Sequence, residues 1–506
     1  MAAVTESHMN GLDPELFEPD WFLTDEQKRL RERLIQICEE KIRPLAAEND
    51  RTLTFPRISL EALAEDGFLG LLLPKEWGGL GQNHVMYNVV TETLARYGDA
   101  SCAMCYVMHI GAVEALKLRA TPYLIENYLK KVKDGFIGTL SYSDPETGSH
   151  FWYPIASGAR KVDGGYEVLK KASWTTSAGF ADFYVCQTTS PDYNGDYSNL
   201  SVFVIDKDQI VAEVQEWDAL GLRGNQSGSL LCDWGFVPDE QLVGPIGDGA
   251  NSNDEAVDPY FLIGSSGVWN GIALGAIDIA VRHTTRKTHK DVGLRVADYP
   301  TIQDAVGEAI MDTNARRLMC LSVAQACDGV TDGAQKNPAV GDLARGNYLH
   351  WQWQIKFEAA KNVAAVVDKM LHCCGGTGYK KQPLQLERYL RDGKAGWVMG
   401  PTNEVLRQFV GKTALLGMAS LDYWNQVINQ RAVDNELKKF TPEQKKELAA
   451  RVDARPKARR PARQGEVEPI RPRGDAATLS WDAPPCCGEL IPFHFSSADT
   501  RRAQGW

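Results

Sequence analysis

Two short stretches gather residue types able to hold an anionic or phosphorylated group. Ser143 to His150, SDPETGSH, sets two hydroxyls, Ser143 and Ser149, around Gly148, and hydroxyls beside backbone N–H groups are what an anionic edge or a phosphate needs. Gly375-Gly376-Thr377-Gly378 is a second such turn, where missing side chains let the backbone come close to phosphate. Taken alone, the first reads as an ordinary Ser/Gly/Pro turn and the second is weak evidence. His150, His289 and His372 add imidazoles, a side chain able to give or accept a proton. Cys102-x-x-Cys105 has redox spacing but sits in an apolar helical run, and Cys373-Cys374 adjoins the glycine turn, so both pairs read as packing. No metal-ligand cluster is evident.

A large scaffold must carry these groups. A chain of 506 residues with 43% apolar content predicts two or three lobes rather than one core. The formal net charge of -11 argues against nucleic-acid binding, which needs a basic excess, and favours a small-molecule substrate. Eleven cysteines lack paired spacing, and the start MAAVTESHMNGLDPELFEPDW is acidic where a leader would be basic and apolar. A cytoplasmic location is the expectation. The most apolar stretch, Phe261 to Val281, is broken by Gly264, Ser265, Ser266, Gly267, Asn270, Gly271 and Asp278, which suits close helix packing rather than a membrane span.

Periodicity predicts an α, then β, then α order. Residues 1–136 read as a helical domain, with Thr24 capping a helix in which Leu30, Leu34, Ile37 and Ile42 recur at helical spacing. Residues 137–250 read as a β domain, with strands around Tyr166 to Leu169, Phe183 to Thr188 and Leu200 to Ile205. Residues 251–435 read as long helices over about Tyr260 to Lys290, Ile302 to Cys327, Asn337 to Leu371 and Asn403 to Arg431. Residues 436–506 read as a short helix opened by Thr441-Pro442-Glu443-Gln444, then a disordered Arg/Pro-rich tail.

Four stretches, in order and at matching separations, resemble the acyl-CoA dehydrogenase family, and with the helical first domain they span roughly residues 24 to 435. Ser143 to His150 is similar to the TEPGAGSD loop, Ser173 to Asp182 (SWTTSAGFAD) to the W-x-T-N-G-x-x-A-D turn, and Ala219 to Gly249 to the G-x-R-G-S-x-T segment. In the last domain, Arg286 in TTRKT, Gln303 in PTIQDAV, GGTGY, LERYLRD and Thr402-x-Glu404-x-x-Arg407 complete the match. The resemblance implies an α+β fold of N-terminal helical domain, central β-barrel domain and C-terminal four-helix bundle. It also implies FAD, with Ser143, Ser149, Trp174, Thr176, Arg286, Gln303, His372, Gly375, Gly376 and Thr402 at the cofactor. Ser149, His150, Phe261 and Gly400 would face the substrate. Cofactor contacts that cross subunits would require a homodimer or homotetramer, and an electron-transfer flavoprotein would take the electrons.

The departures concern the chemistry. The family's base, a Glu on the segment before Thr402, aligns with Gly400, and the alternative position on the first bundle helix holds Tyr260. Asp258, Tyr260 and Glu404 are the remaining catalytic candidates. The Arg that helps hold CoA is replaced by Phe261, the Gln before the glycine turn by His372, an aromatic by His289 and the loop acid by His150. Three readings follow: α,β-dehydrogenation of an acyl thioester with hydride transfer to flavin N5; a flavin-dependent monooxygenase or oxidase on a non-CoA substrate; or a lyase or non-catalytic flavin-binding subunit.

Overall fold

Helices begin where the sequence supplies caps. The Thr24 hydroxyl accepts from the Gln27 N–H while the Gln27 side chain accepts from the Thr24 N–H, closing a capping box; Asn83, Asp99 and Thr121 cap three further helices. The computed structural model describes residues 11–148, 155–193, 195, 199–214, 217–417 and 437–453. The first helices are α1 (Pro14–Phe17), α2 (Asp25–Ile37), α3 (Arg43–Thr52), α4 (Arg57–Glu65), α5 (His84–Thr93), α6 (Ala100–Leu118) and α7 (Pro122–Asn127). Every residue of α5 is buried, and all of α6 except Met108, so these two form the floor of the first domain.

Eight strands follow: β1 (Gly138–Ser141), β2 (Gly158–Val162), β3 (Gly165–Ala172), β4 (Phe183–Thr189), β5 (Leu200–Asp206), β6 (Val211–Ala212), β7 (Leu230–Pro238) and β8 (Leu242–Val243). They pair in the order β6-β7-β3-β2-β4-β5-β8, with β1 parallel to β4. Strands β3 and β5 are three steps apart, about 14 Å in a flat sheet. Yet the Tyr166 and Phe203 rings they carry lie 5.1 Å apart, so the sheet curls around them. Val168, Tyr184, Cys186, Ile205, Leu230, Cys232 and Val237 complete this inner core.

The chain then forms α8 (Gly249–Ser252), a π-helical turn (Asn253–Val257), α9 (Asp258–Arg286), α10 (Pro300–Thr331), α11 (Leu349–Tyr379), α12 (Leu386–Val398) and α13 (Asn403–Leu416). Between α9 and α10 lies a small hairpin pairing Thr288–His289 with Leu294–Arg295. The helix expected from Asn337 starts only at Leu349, because Pro338 and Gly341, at φ +87°, keep the preceding residues in turns. Helix α12 was not expected as a separate element, since Gly393 and Gly396 lower its helix propensity. Packing compensates: those glycines bring its backbone against Val363, Ala360 and Trp269. Residues 418–436 and the tail from 454 lie outside the described residues. The helix Pro442–Asp453 belongs to a separate compact unit and opens with the Thr441–Gln444 capping box expected for it.

Helix α9 is buried along nearly its whole length, and the reason lies in its glycines. A Cβ at Gly264 would collide with the Tyr87 phenol, and one at Gly267 with Thr91 and the Asn88 carbonyl. The glycines thus let α5 cross at backbone contact. Two helical stretches, Ala100–Leu118 and Gly249–Arg286, are long and apolar enough to cross a membrane, and both are enclosed by the fold. Gly264→Ala is expected to lower the unfolding free energy by about 1–3 kcal/mol. Gly307→Ala, on α10 with open space around its Cα, should raise it by about 0.5–1 kcal/mol. Equal denaturation midpoints for the two variants would contradict this account of α9.

Candidate functional site

Trp174 is the most exposed aromatic side chain among the described residues of the β domain. The Ser173–Asp182 turn is pinned from beneath: Thr139 Oγ1 donates to the Thr176 carbonyl at 2.7 Å, Thr175 N to the Gly228 carbonyl at 2.8 Å, and Ser177 N to the Asn225 carbonyl at 2.9 Å. Trp174 is left 65% exposed, with Trp217 meeting it edge-on at 5.5 Å. The Thr176 hydroxyl is buried and shares a 2.9 Å hydrogen bond with Ser227. Ser143 is half-buried on the loop after β1. Lys170 on β3, completely buried, donates to the carbonyls of Tyr142, Ser143 and Gln187 at 3.0–3.1 Å and so fixes that loop. Ser149 and His150 lie outside the described residues.

The first turn of α9 collects acids. In the π turn before it, Glu255 is fully buried and accepts from the backbone N–H groups of Arg345 and Gly346 at 3.1 and 2.9 Å. Asp254 is pushed up to about 7 by burial and then by the Glu255 charge. Asp258, one turn on, is buried, and its Oδ1 has no hydrogen-bond partner among the described residues. Burial first, then the Asp254 charge, raise its carboxyl well above the ordinary range, while a hydrogen bond from Trp353 opposes them. Such a group, when ionised, is a stronger base than a solvated carboxylate.

Tyr260 faces the first domain. Its ring stacks on His84 at 5.1 Å and lies 5.3 Å from the Arg345 guanidinium, and Tyr87 Oη donates to its carbonyl at 2.9 Å. Burial pushes the phenol well up, with Arg345 opposing and Glu114 reinforcing the shift. Tyr260 is therefore a protonated phenol at neutral pH. Phe261 beside it is a buried core residue.

The corner between α12 and α13 holds Gly400. Thr402 serves as N-cap of α13, and Glu404 is exposed, accepting from Trp397 Nε1 at 2.9 Å. Beneath the corner, buried Lys356 of α11 donates to the carbonyls of Gly396, Met399 and Pro401 and to Asn403 Oδ1, all at 2.9–3.0 Å. Trp353 and Lys356 are three residues apart on α11, so Asp258 and the Gly400 corner meet neighbouring turns of one helix face.

The remaining candidates gather at the other end of the bundle. Arg286 is the exposed last residue of α9, and Gln303 near the start of α10 is exposed and donates to the Ala297 carbonyl at 3.0 Å. His289 shares a 2.9 Å hydrogen bond with the Tyr299 hydroxyl. On α11, His372 is exposed, Gly375 breaks the helix at φ +56°, and both Gly375 and Gly376 have open space where a Cβ would be. Tyr260 and Arg286, 26 residues apart on one helix, are separated by about 39 Å.

These residues fit a flavin dinucleotide. The exposed Trp174 plane suits a flat ring, and the open glycines Gly375 and Gly376, with an exposed Arg286, are the residue types that suit a pyrophosphate. Lys356, Lys170, Glu255 and Arg345 were missed from sequence. The first two were legible in principle, because Lys356 falls on the buried stripe of Trp353, Ala360 and Val363, and Lys170 alternates inward with Tyr166, Val168 and Ala172.

Comparison with known proteins agrees with the fold and with the order of its parts. Residues 24–135 match the model of the acyl-CoA dehydrogenase N-terminal domain and residues 263–398 that of the C-terminal domain. The chain is 26% identical over 401 residues to the mitochondrial isovaleryl-CoA dehydrogenase of Solanum tuberosum, covering 78% of this chain and 92% of that protein. It is 27% identical over 397 residues to the benzylmalonyl-CoA dehydrogenase of Aromatoleum aromaticum, covering 78% and 99%. Its fold matches the glutaryl-coenzyme A dehydrogenase complex with glutaryl-CoA at a TM-score of 0.70 and 22% identity, over 78% of this chain and 96% of that one. Two family domains in order, curated relatives matched over nearly their full length, and a shared fold lead to one conclusion: the chain belongs to the acyl-CoA dehydrogenase family.

Proposed function

We propose that this protein is an FAD-dependent oxidoreductase that introduces a double bond between the α and β carbons of an acyl thioester, with Asp258 as the base. The observation that carries the assignment is a buried carboxylate, with an oxygen unpartnered among the described residues, on the side of α11 that also holds the Gly400 corner. Asp258 Oδ1 takes the α-proton, and the electron pair left behind becomes the second bond between Cα and Cβ as the hydride leaves Cβ with its own pair. Bound FAD would supply the acceptor for that hydride. Trp174 would cover the ring, Ser143, Thr176 and Thr402 would line its edge, and Arg286, Gln303, His372, Gly375 and Gly376 would hold the rest across a subunit boundary. Nine described cysteines, all buried and free, support a reducing, cytoplasmic setting.

The length of α9 supports a homodimer or homotetramer. Because the base end and the Arg286 end are about 39 Å apart, one subunit's Arg286 serves its partner's flavin. Electrons then pass to an electron-transfer flavoprotein, which the exposed edge of the site allows.

The test is anaerobic addition of a panel of acyl-CoA thioesters to the FAD-loaded protein while the visible flavin band is followed. Bleaching is expected with at least one thioester, and none with any would overturn the assignment. Asp258→Asn should slow bleaching by about 10²- to 10⁴-fold. Tyr260→Phe and Glu404→Gln should stay within about tenfold of the parent, a smaller effect than removal of a base. Because the folded Asp258 carboxyl is raised, it is protonated and idle below its own pKa. The parent rate should therefore climb with pH through that value, a limb that Asp258→Asn lacks. A second test mixes subunits: Trp174→Ala and Arg286→Ala should each lose FAD, while hybrids of the two regain it at some of their sites. No recovery in hybrids would contradict sites shared between subunits.

A further inference from the structure

Lys356 is a fully buried cation with no carboxylate in ion-pair contact among the described residues. Taking an ammonium out of water costs several kcal/mol even after relaxation. Burial accordingly lowers its pKa to about 7, with Glu404 opposing. Four oxygens surround Nζ at 2.9–3.0 Å; an ammonium meets them with three hydrogens, one of them shared, whereas a neutral amine would have two hydrogens and would turn its lone pair on an oxygen, so the arrangement favours the ammonium.

The four acceptors come from three consecutive pieces of chain: Gly396 in the last turn of α12, Met399 and Pro401 on either side of Gly400, and Asn403 in the first turn of α13. The helix-end carbonyl would otherwise lack a partner. With the carbonyls of residues 399 and 401 both drawn to one atom, the peptide planes flanking the Gly400–Pro401 step cannot rotate. A glycine at this position has no side chain to hold itself in place, and Lys356 does so from below.

We propose that Lys356 is a positioning residue: its ammonium fixes the backbone of the 396–403 corner and thereby the seat of the reacting end of the substrate, without exchanging a proton with it. This rests on the reading above that the corner lines the site.

The test compares the FAD-loaded parent with Lys356→Met, with the milder Asn403→Ala, and with Leu63→Ala, a core truncation in α4 that lowers thermal stability without touching the corner. Backbone hydrogen exchange across 396–406 and flavin reduction at saturating acyl-CoA are measured for each. Lys356→Met should speed exchange in this segment tenfold or more and slow reduction tenfold or more while FAD stays bound. Asn403→Ala should move both in the same direction by less, and Leu63→Ala should leave both within twofold. Exchange no faster in Lys356→Met and Asn403→Ala than in Leu63→Ala would overturn the proposal, as would faster exchange with unchanged reduction. Should no thioester bleach the parent, the dehydrogenase reading fails, and the exchange measurement still decides whether Lys356 holds the corner.

Discussion

Burial of α9 on nearly every side is the constraint from which the other features follow. A helix enclosed this way must let its neighbours approach wherever they cross, and Gly264 and Gly267 provide that against α5. Its first turn ends up deep between the first domain and α11, so Asp258 and Tyr260 lose water and their proton affinities move. Its last turn emerges at the surface with Arg286. One rigid rod thus sets the buried Asp258 and Tyr260 and the exposed Arg286 at opposite ends of the bundle.

Charge burial is managed in two ways. Where the first helices meet α9 and α10, Arg96 and Arg317 are enclosed with Glu18, Glu92 and Asp278, so each cation faces carboxylates at close range. Among the described residues, Lys170 and Lys356 donate only to carbonyl and amide oxygens, and both sit beneath loops that carry candidate site residues. Ion pairs tie the N-terminal segment across the bundle, while carbonyl-bound lysines hold irregular backbone. Irregular backbone has no ladder of its own to satisfy it, which is why a multivalent donor is useful there.

Much of this was legible in the sequence because it is local. The capping boxes at Thr24 and Thr441, the strands around Val168, Val185 and Val204, and the glycine-broken apolar run that became α9 all express short-range rules. The loops that resemble the family's cofactor segments could be found for the same reason. What could not be read was tertiary. Helix α12 forms because Trp269 and Val363 reward its glycines, against local propensity. That Tyr260 turns toward His84 and Arg345, and that Asp258 keeps an open oxygen, depends on partners between 85 and 176 residues away.

Asp258 is the proposed base that works on an acyl thioester. The most direct measurement is incorporation of solvent deuterium at the α-carbon of an acyl-CoA incubated anaerobically with the protein in heavy water, read by mass spectrometry. Proton removal at that carbon is thereby seen apart from any later step. Incorporation by the parent and its loss in Asp258→Asn is the predicted result. Equal incorporation by both would assign the base elsewhere, and incorporation by neither would contradict the dehydrogenase chemistry itself.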